Sequence, residues 1–390
     1  MTRLCSAFFA AVVLCQTTAS LPAAGPAASV TVKNPIPLAR TSETIVLSAP
    51  ELQRLLAVDD VRKVHVLDEV TKKELVAQAV DTNDDGVFEQ FLFQTDIGPR
   101  ETRTFTLTSG SLRVHAIADF KAYGRFVRER RDDYAWENDR VAHRMYGAAL
   151  ETWEREPLTS SAVDVWTKRV RRLVINDWYM VDDYHADNGT GGDFYSAGKS
   201  RGCGGNGLWV DGKLYPSANF RDSRTLASGP IRVMFELKYQ AWDGGGTRVS
   251  EVKRITLDAG QNLNRFESLY TVVGGKAMVT HAVGIKKNPT SVATSSKDVG
   301  LMRTWEAFKG ETGNLGCGVI VEPSQLVEFA EADGNFLAVA KVPAGGPAIY
   351  HAGFGWDKSG DFKGVEDWDR YLQQAVQRLR SPLEVGVALR

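Results

Sequence analysis

Between positions 183 and 209 the chain reads DYHADNGTGGDFYSAGKSRGCGGNGLW, which sets acid, base and hydrogen-bonding side chains among closely spaced glycines. Glycine reaches positive φ and lets backbones approach closely, and Asn and Asp tolerate the same conformations, so a structured loop is expected here. His185 is the side chain best suited to proton transfer, because its ordinary pKa of about 6.5 lies near neutrality. Asp187 or Asp193 can orient its second nitrogen. Tyr184, Tyr195, Lys199, Ser200 and Arg201 supply further donors and charges in the same stretch.

A second cluster lies upstream in DDYAWENDR, starting at Asp132. Read as a strand, it puts Tyr134, Trp136 and Asn138 on one face and Glu137 and Asp139 on the other. Read as a helix, it pairs Trp136 with Arg140 and Asp133 with Glu137. Arg140 is a fork whose planar donors match the two oxygens of a substrate carboxylate; bracing a bend through an internal Arg–Glu network is the alternative. His281, on MVTHAVGIKK with Lys286, is read as a core histidine or a site residue. Trp356 in GFGWDKSGDF either stacks on a sugar ring or anchors the last helix.

Several chemistries drop out. GGDF and GCGG lack the strand–loop–helix and Lys-Ser/Thr context of a phosphate loop, and no GxSxG elbow appears. Zinc spacing of cysteines is absent. The turn DTNDDG at Asp81 begins like a calcium loop, but Leu92 occupies the twelfth position, so a hairpin turn is expected and no metal site is assigned. With 47 Lys+Arg against 48 Asp+Glu, the net charge of -1 gives no footprint for nucleic acid.

The elements that must hold these residues are mostly strands. Residues 1–24 have the basic start, short apolar run and small residues of a signal peptide, so a periplasmic or secreted protein is expected. No stretch is long and apolar enough for a membrane span. Residues 25–120 read as a small β-sandwich with one helix beginning near Pro50. Residues 121–390 read as a second, larger domain that carries the site. Within it, Val163, Trp166, Val170 and Leu173 have helical spacing, with Lys168, Arg169, Arg171 and Arg172 on the remaining faces as a solvated surface. From Gly229 long alternating strands predict an antiparallel sheet with a wet face suited to a sugar chain. VEDWDRYLQQAVQRLR is an amphipathic helix, and PLEVGVALR a closing strand. Cys203 and Cys317, left after the signal, either pair or serve as small hydrophobes. Nothing in the pattern signals an oligomeric state.

DYAWENDRVAHRMYG, YHADNGTGGDFYSAGKSRGCGGNGLW, SGPIRVMFELKY and AGFGWDKSGDF together resemble the bacterial domain-of-unknown-function family 4861, over most of the mature chain. That resemblance implies an exported protein associated with polysaccharide breakdown. It also implies a mainly β fold: an N-terminal small β-sandwich followed by a large antiparallel β super-sandwich of galactose-mutarotase type with a few helices. The expected substrate is an oligosaccharide or polysaccharide containing uronic acid, and the expected activity is that of a carbon–oxygen lyase or dehydratase: β-elimination without a cofactor, cleaving a glycosidic bond or removing water from a chain end. Arg140, Lys199 or Arg201 would clamp the carboxylate. His185 would act as base and Tyr184 or Tyr195 as acid, with Trp136, Glu137, Asp193, His281 and Trp356 as further contacts. A glycoside hydrolase using Glu137 and Asp193 is the alternative. A non-catalytic glycan-binding protein, with Trp136, Trp209 and Trp356 as an open platform, is another.

Overall fold

The structure is a computed structural model that describes residues 25–155, 157–181 and 184–390. The signal-peptide reading, on residues 1–24, lies outside the described residues. Strands dominate, and all the pairings between named strands are antiparallel, in keeping with the mainly β fold expected from alternating apolar residues and frequent turns.

The first layer pair is a sandwich. Strands Ala27–Lys33, Thr102–Ser109, Val64–Asp68 and Glu74–Leu75 form one sheet, and Arg40–Ser48, Gln90–Ile97 and Ala77–Val80 form the other. Two-residue alternation turns Val30 and Val32 inward toward Phe91, Phe93, Phe105 and Leu107, while polar neighbours face out. The helix Ala49–Leu56 starts where Ser48 accepts the Glu51 N–H and Pro50 sits in the first turn. Strand Glu384–Leu389 adds to the outer edge of this sandwich, pairing with Ala27–Lys33.

The DTNDDG segment is the hairpin turn between Ala77–Val80 and Gln90–Ile97. The Asp81 carboxylate accepts the N–H groups of Asp84 and Gly86. Glu89, at the ninth loop position, turns back so that oxygens of Asp81, Asp85 and Glu89 lie within 4.8 Å of one another.

Beyond Phe120 an eight-stranded sheet packs on a five-stranded one, and a third sheet of five strands leans on the eight-stranded edge. This third sheet contains Ala122–Val127, Asp133–Asn138, Val141–Met145, Asp164–Lys168 and the short Gly191–Gly192. Tyr134 stacks on Phe235 with ring centroids 3.9 Å apart, which joins the third sheet to the main core.

The helix expected through Val163–Leu173 is instead strand Asp164–Lys168, followed by a turn and the short helix Ile175–Tyr179. Every residue of DVWTK is buried. A strand covered on both faces loses its two-residue alternation, so the spacing of its apolar residues imitated a helix. Its cations are only in part a solvated face: Lys168 is buried against Glu137 and Arg169 pairs with Asp187, whereas Arg171 and Arg172 are exposed and pair at the surface with Asp361 and Asp177. The amphipathic helix Val365–Arg380 forms as read, burying Trp368, Leu372, Ala375 and Val376.

Candidate active site

Asp133, Arg144, Asp164 and Asp193, all buried, gather at one end of the third sheet, away from the buried Glu137–Lys168 pair. Arg144 stands directly across from Asp164 in the register of strands Val141–Met145 and Asp164–Lys168. Asp133 begins the neighbouring strand, and Asp193 follows Gly192, which pairs with Thr167. Two glycines make this convergence possible. At Gly147 a Cβ would lie 1.7 Å from the Asp132 carbonyl oxygen, and at Gly191, with φ +105°, it would lie 2.0 Å from that of Thr167. Side chains at these positions would push the flanking segments off the sheet.

Three aspartates surround the one guanidinium. Arg144 Nε donates to Asp164 Oδ2 at 2.8 Å and Nη2 to Asp193 Oδ2 at 3.2 Å, while Nη1 lies 3.5 Å from Asp133 Oδ2. Burial by itself would weaken the guanidinium charge, but Asp164, Asp193 and Asp133 together hold its pKa well above the ordinary value. Tyr146 donates to Asp164 Oδ2 at 3.0 Å and is kept protonated by burial and by that carboxylate. Asp164 is thus fully engaged, since its Oδ1 also accepts the Val165 N–H.

Asp133 is different. Burial raises its pKa to about 7, against the opposing pull of Arg144 and Arg130. Its Oδ1 is buried without a hydrogen-bond partner. Asp133, Arg144, Tyr146, Asp164, His185 and Asp193 all line one cavity of about 280 Å³, closed by Leu150, Leu158 and the segment from Phe194 to Gly198. Arg130 stands on its wall, donating from Nε and Nη2 to the Tyr184 hydroxyl at 2.9 and 2.6 Å and lying 4.8 Å over the Trp153 ring.

Of the residues singled out from the sequence, His185, Asp193 and Tyr195 line this cavity. The His185 side chain is 61% exposed, with Nδ1 2.9 Å from the Asp193 carbonyl oxygen and 3.7 Å from its Oδ2. Tyr195 is buried, and desolvation pushes its phenol well above the ordinary range. Tyr184 sits one layer back, stacked on Trp166. Lys199 is exposed beside Gly198, outside the cavity lining.

The remaining candidates fall elsewhere. Arg140 lies 3.0 Å from Asp361 and does not reach the cavity, so it cannot clamp a substrate there. Glu137 is fully buried, bonded to Lys168 Nζ at 2.5 Å and accepting the N–H groups of Val174 and Ile175. Trp136 is a core residue donating to Asn264 Oδ1. Arg201 is buried among Ser161, Asn206 and Lys199 oxygens, and desolvation lowers its pKa to about 10. His281 is also core, its pKa lowered to about 4 by burial. Trp356 is buried and donates to the Thr312 carbonyl, with Arg169 over its ring. Cys203 and Cys317 are buried free thiols. No helix among the described residues is long and apolar enough to cross a membrane.

Fold and cavity together define a mainly β super-sandwich protein with a carboxylate-lined pocket at the end of its third sheet. The chain belongs to the family described as Domain of unknown function (DUF4861), whose profile matches residues 32–385. A Formosa agariphila protein, "Uncharacterized protein P7", is 34% identical over 372 residues, covering 92% of this chain and 93% of its own. Among solved structures, a protein in the glycosyl hydrolase family 38 from Enterococcus faecalis superposes over 93% of this chain with a TM-score of 0.51 and 10% identity. An alpha-mannosidase from Enterococcus faecalis V583 gives a TM-score of 0.48 at 10% identity, over 93% of this chain. The chain spans about half the length of these two, 47% and 46% respectively. At such identity the first likeness is one of fold.

Proposed function

We propose that this chain is a glycoside hydrolase acting on a terminal sugar unit, with Asp133 as the proton donor and Asp193 as the second carboxylate. The observation that carries the reading is Asp133: a buried carboxyl held protonated to about pH 7, one of its oxygens without a hydrogen-bond partner, on the wall of a cavity that it shares with another carboxylate. Both groups are anchored within 3.5 Å of nitrogens of the same guanidinium. That arrangement keeps them inside the roughly 9.5 Å over which paired carboxylates cleave glycosidic bonds.

In this reading Asp133 protonates the leaving oxygen. Asp193, oriented by Arg144 and His185, either activates water or attacks the anomeric carbon. Asp164 is already spent on Arg144, Tyr146 and a backbone N–H, so it positions the guanidinium. The charge balance supports hydrolysis over elimination. With Asp133 protonated, Arg144 is still faced by Asp164 and Asp193, so the cavity tolerates the positive charge of an oxocarbenium-like transition state. A uronate would bring a further negative charge toward those carboxylates, and Arg140, the expected clamp, is at Asp361. A cavity of about 280 Å³ suits a single ring rather than a threaded chain. The glycosidase fold likeness is consistent with this reading.

The test is to incubate the purified protein with a panel of oligosaccharides and aryl glycosides, following both reducing ends and the ultraviolet absorbance of unsaturated uronates. Reducing sugar without absorbance is expected, reduced at least about 100-fold in Asp133→Asn and in Asp193→Asn. New absorbance would instead establish elimination, and tight binding without product a glycan-binding role; either result overturns the proposal.

A further inference from the structure

We infer that a second cavity, between the small sandwich, the eight-stranded sheet and the final helix, binds a small organic monoanion with a hydrophobic or sugar body. This cavity has a volume of about 470 Å³, within the range of ligand pockets. Arg40 comes from the small sandwich, Arg232 and Arg265 from the large sheet, and Arg378 from helix Val365–Arg380. Four guanidiniums therefore meet at one place from three parts of the fold.

Their partners leave one charge over. Arg232 is matched by Asp258, through Nε at 2.6 Å and Nη2 at 2.8 Å, and Arg265 by Glu267. Arg40 and Arg378 share a single carboxylate, Glu43, which lies 3.8 Å from the first and 3.1 Å from the second. His351, also on the lining, has its pKa lowered to about 4 by burial and by Arg265, so it adds no charge near neutrality.

Donors are unspent as well. Arg40 is only 2% exposed; its Nε bonds to Asn34 Oδ1 and its Nη2 to the Ser381 carbonyl, while Nη1 has only Glu43, beyond hydrogen-bond distance. Burial lowers the Arg40 pKa, and the neighbouring Arg378 charge adds to that strain on the pair. Arg378 makes its hydrogen bonds from Nη1 alone, to Glu43 and Gln261. None of the nitrogens of Arg40 and Arg378 is sealed off without a partner, so their unspent donors open on the cavity, where a bound anion can take the place of water. A carboxylate or sulfate ester lodged here accepts from both guanidiniums and closes the charge deficit. Ile45, Leu263, Ala375 and Leu379 give the rest of the ligand an apolar wall.

Two sources share this chemistry, a sugar acid and an apolar carboxylic acid. Isothermal titration of the full chain at low salt, using glucuronate and octanoate as probes with glucose and octanol as neutral counterparts, separates them. One saturable site for at least one anion is expected, weakened about tenfold or more in Arg378→Gln and at high salt, and unchanged in Asp133→Asn. Stronger glucuronate binding identifies the sugar acid, and stronger octanoate binding the apolar acid. Arg378→Met, which keeps an apolar stem beside Leu379 and removes the charge, provides the same reading should Arg378→Gln fail to fold. The inference is overturned if neither anion saturates the folded wild-type protein, if the neutral counterparts bind equally well, or if the folded arginine variants bind like wild type.

Discussion

At Asp133, burial that would be a defect elsewhere supplies a proton at neutral pH. The folded chain holds that proton to about pH 7, whereas an unfolded aspartate releases it near 3.9. Between those values the folded state binds more protons, so this group's contribution makes stability fall as pH rises from about 4 to about 7. Asp133→Asn should therefore gain melting temperature relative to wild type across that window. A difference that stays flat from about pH 4 to 8 would contradict the raised pKa. The same residue sets the alkaline limb of activity: kcat/KM should decline above about pH 7, and the residual rate of Asp133→Asn should lose that limb. Part of this site was legible in the sequence. His185 and Asp193 stood out because glycine-rich loops carrying titratable groups are rare. Asp133 stood in the DDYAWENDR cluster without being singled out, and Arg144 and Asp164 were passed over because their strands read as largely apolar. The available signal was that very misfit: DVWTK and VAHRM place charges where a doubly covered strand should have none, and only the tertiary pairing shows that the charges answer one another.

The strands and the short helix of the third sheet are held together by a buried ion pair with no role in the cavity. Glu137 bonds Lys168 across the sheet with one oxygen and, with the other, caps the first N–H groups of helix Ile175–Tyr179. Lys168→Met leaves that carboxylate buried and uncompensated, which should cost about 3–5 kcal/mol in chemical denaturation. The double variant Lys168→Met with Glu137→Gln should recover much of this loss, because a neutral amide oxygen still accepts from Val174 and Ile175. Equal losses in the single and double variants would show that packing, not charge, dominates there. At this scale the helix Ala49–Leu56 and the helix Val365–Arg380 were readable from caps and periodicity. The segment Val163–Leu173 was not, because complete burial erases the polar half of the pattern from which strand and helix are told apart.

Across the whole molecule, the small sandwich is finished by a strand from the far end of the described chain. Strand Glu384–Leu389 pairs with Ala27–Lys33 over six residue positions, and Lys33 Nζ reaches Glu384 at 2.9 Å. Deleting residues 384–390 exposes the edge of Ala27–Lys33. This should lower the melting temperature of the small sandwich by several degrees and increase self-association, measured by differential scanning calorimetry and light scattering. An unchanged transition in a monomeric variant would make the strand dispensable. The pairing also imposes an order of assembly. During synthesis the opening sheet stays one strand short until the ribosome has passed the entire super-sandwich, so its completion waits for the rest of the chain to be made. The chain is thus built with its first module left ajar, its opening strand unpaired along one edge until residues 384–389 have emerged.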